Sequence, residues 1–165
     1  MTEIKVNVDE VTAWLQVAQT APELTEHEAL TTMKVAVGMV DRQVVPRTPV
    51  GATGNLRSAW NTKVDRGLTA VKGEIYNPLV YAIVMEKGRR AGATMPPKWP
   101  IVYWLRRKHG MSLEAAMKAW FPVARAIGQR GIKGKKMLEE GFEAATPSVK
   151  QLFNRIPETV FKKLK

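Results

Sequence analysis

Leu30, Met33, Val37, Val40 and Val44 recur at alternating steps of three and four, so they line one face of a helix. That stripe runs directly into "PRTPVGATGNLRSAW", Pro46 to Trp60. The junction constrains the fold strongly, because a long amphipathic helix must end there and the chain must leave it on a fixed course. Thr25 is a candidate N-cap, and Glu28 three residues later completes a capping box. Pro46 disfavours helical backbone at Val45, which predicts the helix end near that residue. Pro46 and Pro49 would then hold the exit extended. Gly51 and Gly54 supply backbone angles that other residues resist. Thr53 can cap a short turn whose Leu56 plugs into the core. The stretch reads as a rigid corner that aims Trp60 and the following residues across the helix.

Before this helix, Ile4, Val6 and Val8 alternate with polar residues as in a short strand, and Asp9 can cap a helix over 10–19. After Trp60 the period becomes two. "NTKVD" and "TAVKGEIYN" flank a turn at Gly67 and predict a hairpin. "LVYAIVME" fits a third short strand or one or two helical turns. "KGRRAGATMPPKWP" reads as a long loop, functional or an arm between subunits. "IVYWLRRKHG" predicts a helix closed by Gly110. Ser112 caps "LEAAMKAWF", which Pro122 breaks or restarts. "GQRGIKGKK" is a basic loop punctuated by glycines. Thr146 as N-cap and Pro147 at the first helical position start the last helix, with a kink at Pro157. Its apolar face is Val149, Leu152, Phe153, Ile156 and Val160. The whole predicts one α+β domain over 1–165. A small antiparallel sheet packs against a long helix and a C-terminal helix, with a helical insertion over 100–128.

Charge is uneven along the chain. Residues 1–41 carry two bases against seven acids, whereas residues 42–165 carry 24 bases against eight acids. Such asymmetry suggests a basic body facing a polyanion, or acidic and basic faces meeting between subunits. There is no cysteine, so disulfides and thiolate metal sites are excluded. No apolar run approaches the roughly 20 residues of a membrane span, and "MTEIKVNVDE" lacks the pattern of a secretory signal.

A catalytic constellation is not visible in the sequence. His27 and His109 have no carboxylate at ligand spacing, and adjacent Glu139 and Glu140 do not face each other on a helix. "GQRGIKGKK" matches the end of a phosphate loop at Gly134 and Lys135, but Gln129 and Lys136 stand where Gly and Ser or Thr belong. Basic clusters occur at Lys87, Arg89 and Arg90, at Arg106 to Lys108, and at Lys133, Lys135 and Lys136. Trp99, Tyr103 and Trp104 lie between them. This pattern can grip phosphates and stack bases. Alternatively the aromatic rings fill the core, and on a helix the Trp104 ring would sit near the face of Ile101 and Leu105. No recognised nucleic-acid motif appears.

The order of the pieces resembles the tailed-bacteriophage neck and tail-completion family, which includes proteins like lambda minor tail protein Z and the gp-ten-like proteins of phage HK-ninety-seven. The resemblance rests on Thr48–Pro49, on Thr53–Gly54 with Leu56 and Ser58, on Tyr81–Ala82 with Glu86 and Gly88, and on Arg130–Gly131. It covers 27–160 within a core over 25–165, and residues 1–24 lie outside it. The family's usual Asp before Thr-Gly is Ala52 here. The resemblance implies a virion protein, assembled in the host cytoplasm, that forms a homo-oligomeric ring at the head–tail junction or the head-proximal end of the tail. Its implied partners are itself, head-closure or connector proteins, and tail-tube or terminator proteins. DNA is implied only as the passing genome, and no cofactor, metal or membrane enters. The alternative is a sequence-nonspecific DNA-binding protein. The candidate interface residues are Lys87, Arg89, Arg90, Met95, Trp99, Arg130, Lys133, Lys135 and Lys136.

Overall fold

A computed structural model describes residues 19, 21–67 and 70–164. The expected strand over 4–8 lies outside the described residues, as does the expected helix over 10–19 apart from Gln19. The described chain is α+β, with seven helices and two separate two-stranded sheets. It groups into two compact units, each gathered from distant segments. One takes the described parts of Met1–Arg42, Thr62–Ile75 and Glu143–Lys165, and the other takes Gln43–Asn61 and Tyr76–Phe142.

In the first unit, the long helix α1 (Pro22–Arg47) supplies its residues up to Arg42. It does not begin at a Thr25 cap. Pro22 occupies the first turn, where its missing N–H is not needed. The Thr25 hydroxyl instead donates back to the Ala21 carbonyl at 2.8 Å. Glu28 closes no capping box either, because its largely buried carboxylate accepts from Lys163 Nζ. The hairpin of β1 (Asn61–Arg66) and β2 (Val71–Tyr76) lies against this helix. A Cβ at Gly73 would come within 2.6 Å of both Met33 Sδ and Val37 Cγ1, so glycine lets β2 approach closely. Arg66 Nη2 donates to Glu26 Oε2 at 2.8 Å, tying the hairpin to the helix at a second point.

The C-terminal part of this unit departs from expectation. Pro147 starts no helix. It lies exposed inside a helix that runs from Met137 to Asn154. The chain then breaks at Arg155 and resumes as Ile156–Lys163, with Pro157 in its first turn. Ile156 and Val160 are buried against Ala21, Leu24 and Phe153. Each buried side chain of this size contributes about 1.5–3 kcal/mol.

The second unit begins with the corner. α1 ends at Arg47, within two residues of the end expected near Val45, so Pro46 lies in its last turn. Proline there forfeits one backbone bond, and its ring faces solvent. The helix stops because Thr48 turns back on it. Thr48 is fully buried, and its hydroxyl donates to the Val44 carbonyl at 2.9 Å while accepting from Trp60 Nε1 at 2.8 Å. Arg57 Nε donates to the Thr48 carbonyl at 2.9 Å, and Arg57 Nη2 reaches the Pro46 carbonyl at 3.3 Å. Carbonyls left open at a helix C-terminus are thereby satisfied from within the corner. Pro49 follows outside the helix, so the exit is held by one proline rather than two.

Gly51 and Gly54 have φ of 61° and 75°. Gly54 starts the short helix α2 (Asn55–Ser58), and Thr53 Oγ1 accepts weakly from Asn55 N–H at 3.4 Å. Leu56 on α2 is buried with Ala82 and Met137, and Trp60, Leu79 and Met85 pack around them. Asn77 closes the layer, donating to the Leu56 carbonyl at 2.8 Å and accepting from Leu79 N–H at 3.1 Å.

"VYAIVMEK" is helical, as α3 (Val80–Lys87). Beyond it, α4 (Lys98–His109) and α5 (Leu113–Arg130) pack together around their own core. Ile101, Val102 and Leu105 meet Ala116 and Ala124, with Trp120, Val123 and Ile127 alongside. Gly110, at φ 64°, ends α4, and Ser112 caps α5 by accepting from Ala115 N–H at 3.2 Å. Pro122 neither breaks nor restarts α5. It is exposed, and the apolar face continues past it from Ala116 to Ala124 and Ile127.

Two outcomes are expected at the corner. Thr48→Val removes the acceptor for Trp60 Nε1 and should cost about 1–3 kcal/mol in urea unfolding. The double variant with Trp60→Phe should cost less than the sum of the singles. Gly54→Val forces a β-branched residue to positive φ and should cost about 1–3 kcal/mol in the same assay.

Candidate interaction surface

Two basic segments far apart in sequence meet in the second unit. β3 (Gly88–Arg89) pairs antiparallel with β4 (Ile132–Lys133), with Gly88 opposite Lys133 and Arg89 opposite Ile132. By sequence both segments read as loops. A strand of two residues is invisible to any periodicity, so the pairing has no signal in hydropathy. Glycines make it possible. A Cβ at Gly88 would lie 2.5 Å from Gly134 N and Ile132 O, and φ there is 81°. Cβ atoms at Gly131 and Gly134 would run into the backbones of Arg89 and Glu86.

The crossing is locked by backbone bonds and one carboxylate. Lys135 N–H donates to the Met85 carbonyl at 2.7 Å, and Lys136 N–H to that of Glu86 at 3.1 Å. The Glu86 side chain accepts from Leu138 N–H at 2.9 Å and Glu139 N–H at 3.0 Å. These are open donors in the first turn of α6 (Met137–Asn154), where negative charge is favoured by the helix dipole. Lys136, at φ 47°, makes the turn into that helix. Within α6, Gly141 allows the helix to touch Val44, because a Cβ would come within 2.6 Å of Val44 Cγ2.

The crossing gathers most of the candidate interface. Lys87, Arg90, Arg130, Lys133, Lys135 and Lys136 are exposed, and Arg89 is half-buried. Lys136 pairs with Glu139 at 3.0 Å. Among the described residues none of the other six forms an ion pair. Met95 and Trp99 stand apart from the crossing. Met95 lies beside Gly128 on α5, where its Cγ would be 3.2 Å from a Cβ, and Trp99 is in the first turn of α4.

Charge follows the fold rather than the sequence halves. The second unit holds 15 basic and four acidic residues, net +11, whereas the first holds 11 of each. Of the four acids, Glu86 caps α6, Glu114 pairs with Lys118, and Glu139 pairs with Lys136. The whole net charge of the chain therefore sits on one unit and is almost unopposed there.

The aromatic residues of α4 are not core, contrary to the packing expected for Trp104. Trp99 is 53% exposed, Tyr103 55% and Trp104 36%. The buried face is Ile101, Val102 and Leu105, one step round the helix from Trp104. The Trp104 ring stands edge-on to His109 at 4.5 Å between centroids. On α3, Val80 and Ile83 are 89% and 66% exposed, while Ala82 is buried.

Among the described residues no group of three or more His, Asp or Glu could hold a metal ion, and no helix is long and apolar enough to cross a membrane. No family model, curated protein or solved structure matches the chain.

Gly88→Ala should part the two basic segments. Loss of about 1–3 kcal/mol in urea unfolding is expected from strain and backbone overlap. Faster amide exchange at Ile132 and Lys133 would locate the damage at the crossing.

Proposed function

We propose that the protein is a structural component of a tailed-bacteriophage virion, at the head–tail junction or the head-proximal end of the tail. Copies would assemble as a ring that completes the tail or joins it to the head. The supporting observation is where the motif residues of the resemblance fall. Thr48, Gly54 and Leu56 fix the corner, while Glu86, Gly88 and Gly131 fix the basic crossing. Their roles are to set backbone geometry, which a ring requires because angular errors accumulate from subunit to subunit. Exposed Val80 and Ile83 fit the same reading, since apolar side chains left in water are often contact surfaces. On this reading the protein turns over no substrate.

Light scattering with negative-stain microscopy of purified protein, alone and with isolated tails, tests the proposal. Closed rings or tail-bound protein are expected. A strict monomer that leaves tail joining unchanged overturns it. Neutralising Lys133, Lys135 and Lys136 together should impair joining, because these side chains would meet acidic partner surfaces. A stoichiometric bound metal, or turnover abolished by a single substitution, would also refute the structural role.

The charge of the second unit favours a second reading, sequence-nonspecific DNA binding. The two separate by affinity for duplex DNA. A ring crossed by the genome should hold duplex weakly and lose it as salt rises, because screening removes exposed charge attraction.

A further inference from the structure

The exposed face of α4 groups Trp99, a candidate interface residue, with side chains to which the ring reading gives no role. Trp99, Tyr103 and Arg106 follow at steps of four and three, so they share one face, with Arg107 beside them. That face is turned away from Ile101, Val102 and Leu105, which pack on α5. The two rings lie 6.1 Å apart between centroids and are tilted by 34°, so they do not cover each other face to face. Lys98 Nζ lies 5.6 Å from the Trp99 centroid and 5.6 Å from that of Trp120 on α5. It thereby fixes Trp99 against the helix pair. Among the described residues Lys98, Arg106, Arg107 and Lys108 form no ion pairs.

Flat apolar rings half exposed among unopposed cations call for a ligand with both planar faces and negative charge. An acidic polypeptide offers charge without regular planar faces. Duplex DNA offers charge, but its bases are already stacked on each other. A single strand offers both. We propose that the exposed face of α4 binds single-stranded nucleic acid, with bases stacked on Trp99 and Tyr103 and phosphates held by Arg106 and Arg107. The site is sequence-tolerant, since every base has a π-face. It does not depend on the ring: a duplex passing a ring leaves these side chains unused.

The test uses the full chain, a fluorescent thymidine oligonucleotide of about 20 nucleotides and a duplex of similar length, titrated between roughly 50 and 200 mM salt. The single strand should bind about ten-fold more tightly than the duplex or better, and should quench tryptophan fluorescence. Trp99→Ala with Tyr103→Ala should weaken single-strand binding by about ten- to hundred-fold while leaving duplex binding unchanged. Trp99→Phe should retain most of it. Arg106→Gln with Arg107→Gln should lower the slope of log affinity against log salt by about 0.7 for each phosphate no longer neutralised. Circular dichroism and the thermal midpoint show whether each variant is folded, which the exposure of all four side chains favours. Equal affinity for both nucleic acids, indifferent to the aromatic pair, overturns the proposal in favour of charge alone. Loss of self-association in the aromatic variant with unchanged strand affinity overturns it in favour of a subunit contact. Competition by polyglutamate as strong as by the oligonucleotide overturns it in favour of an acidic protein.

Discussion

The end of α1 is the point on which the second unit depends. A helix end exposes carbonyls, and burying them without partners costs a full hydrogen bond each. Here the partners come from the twelve residues that follow: the Thr48 hydroxyl takes Val44, and Arg57 takes Pro46 and Thr48 itself. Trp60 then donates to the same hydroxyl. Satisfying the helix and setting the direction of the chain are thus one event. The direction places Leu56 in the layer with Ala82 and Met137. That layer brings α3 to the start of α6, where Glu86 completes an analogous task at a helix N-terminus.

The two ends are handled by opposite chemistry. Neutral and cationic donors serve the carbonyl end of α1, and a carboxylate serves the amide end of α6. Between them the chain makes a mini-sheet of four residues, too short to stabilise itself. It persists because glycines let the strands touch and because Glu86 anchors one side. Its effect is electrostatic: it concentrates cations from two segments that sequence separates by over 40 positions. Three of the four acids that would offset them cap a helix or pair locally.

The apolar periodicity of α1 makes that helix legible, as Gly110 and Ser112 do the joint between α4 and α5. The turn around Gly67 makes the hairpin legible. Prolines mislead. Pro122 and Pro147 each predict a boundary, yet both lie inside helices with their rings toward solvent. One lost backbone bond is outweighed when buried side chains continue on the opposite face. Thr48 is visible only as half of a Thr-Pro pair. Its burial and its bond to Trp60 join positions twelve apart, and no local pattern encodes that. Glu86 bonding Leu138 is longer-range still. The basic runs can be read as clusters, but their convergence requires the pairing of β3 and β4. The exposure of Trp99 and Tyr103 follows from which face of α4 the alanines of α5 can approach.

The interleaving of the units has a consequence for synthesis. The first unit needs Ile156, Val160 and Lys163, which meet Ala21, Leu24 and Glu28 across more than 120 residues. A nascent chain cannot complete those contacts until the helix Ile156–Lys163 clears the ribosome. The second unit requires nothing beyond Phe142, so it can form first, during translation. The part of α1 up to Arg42 must then wait, its apolar stripe open to chaperones or to other nascent copies, for residues 156–163.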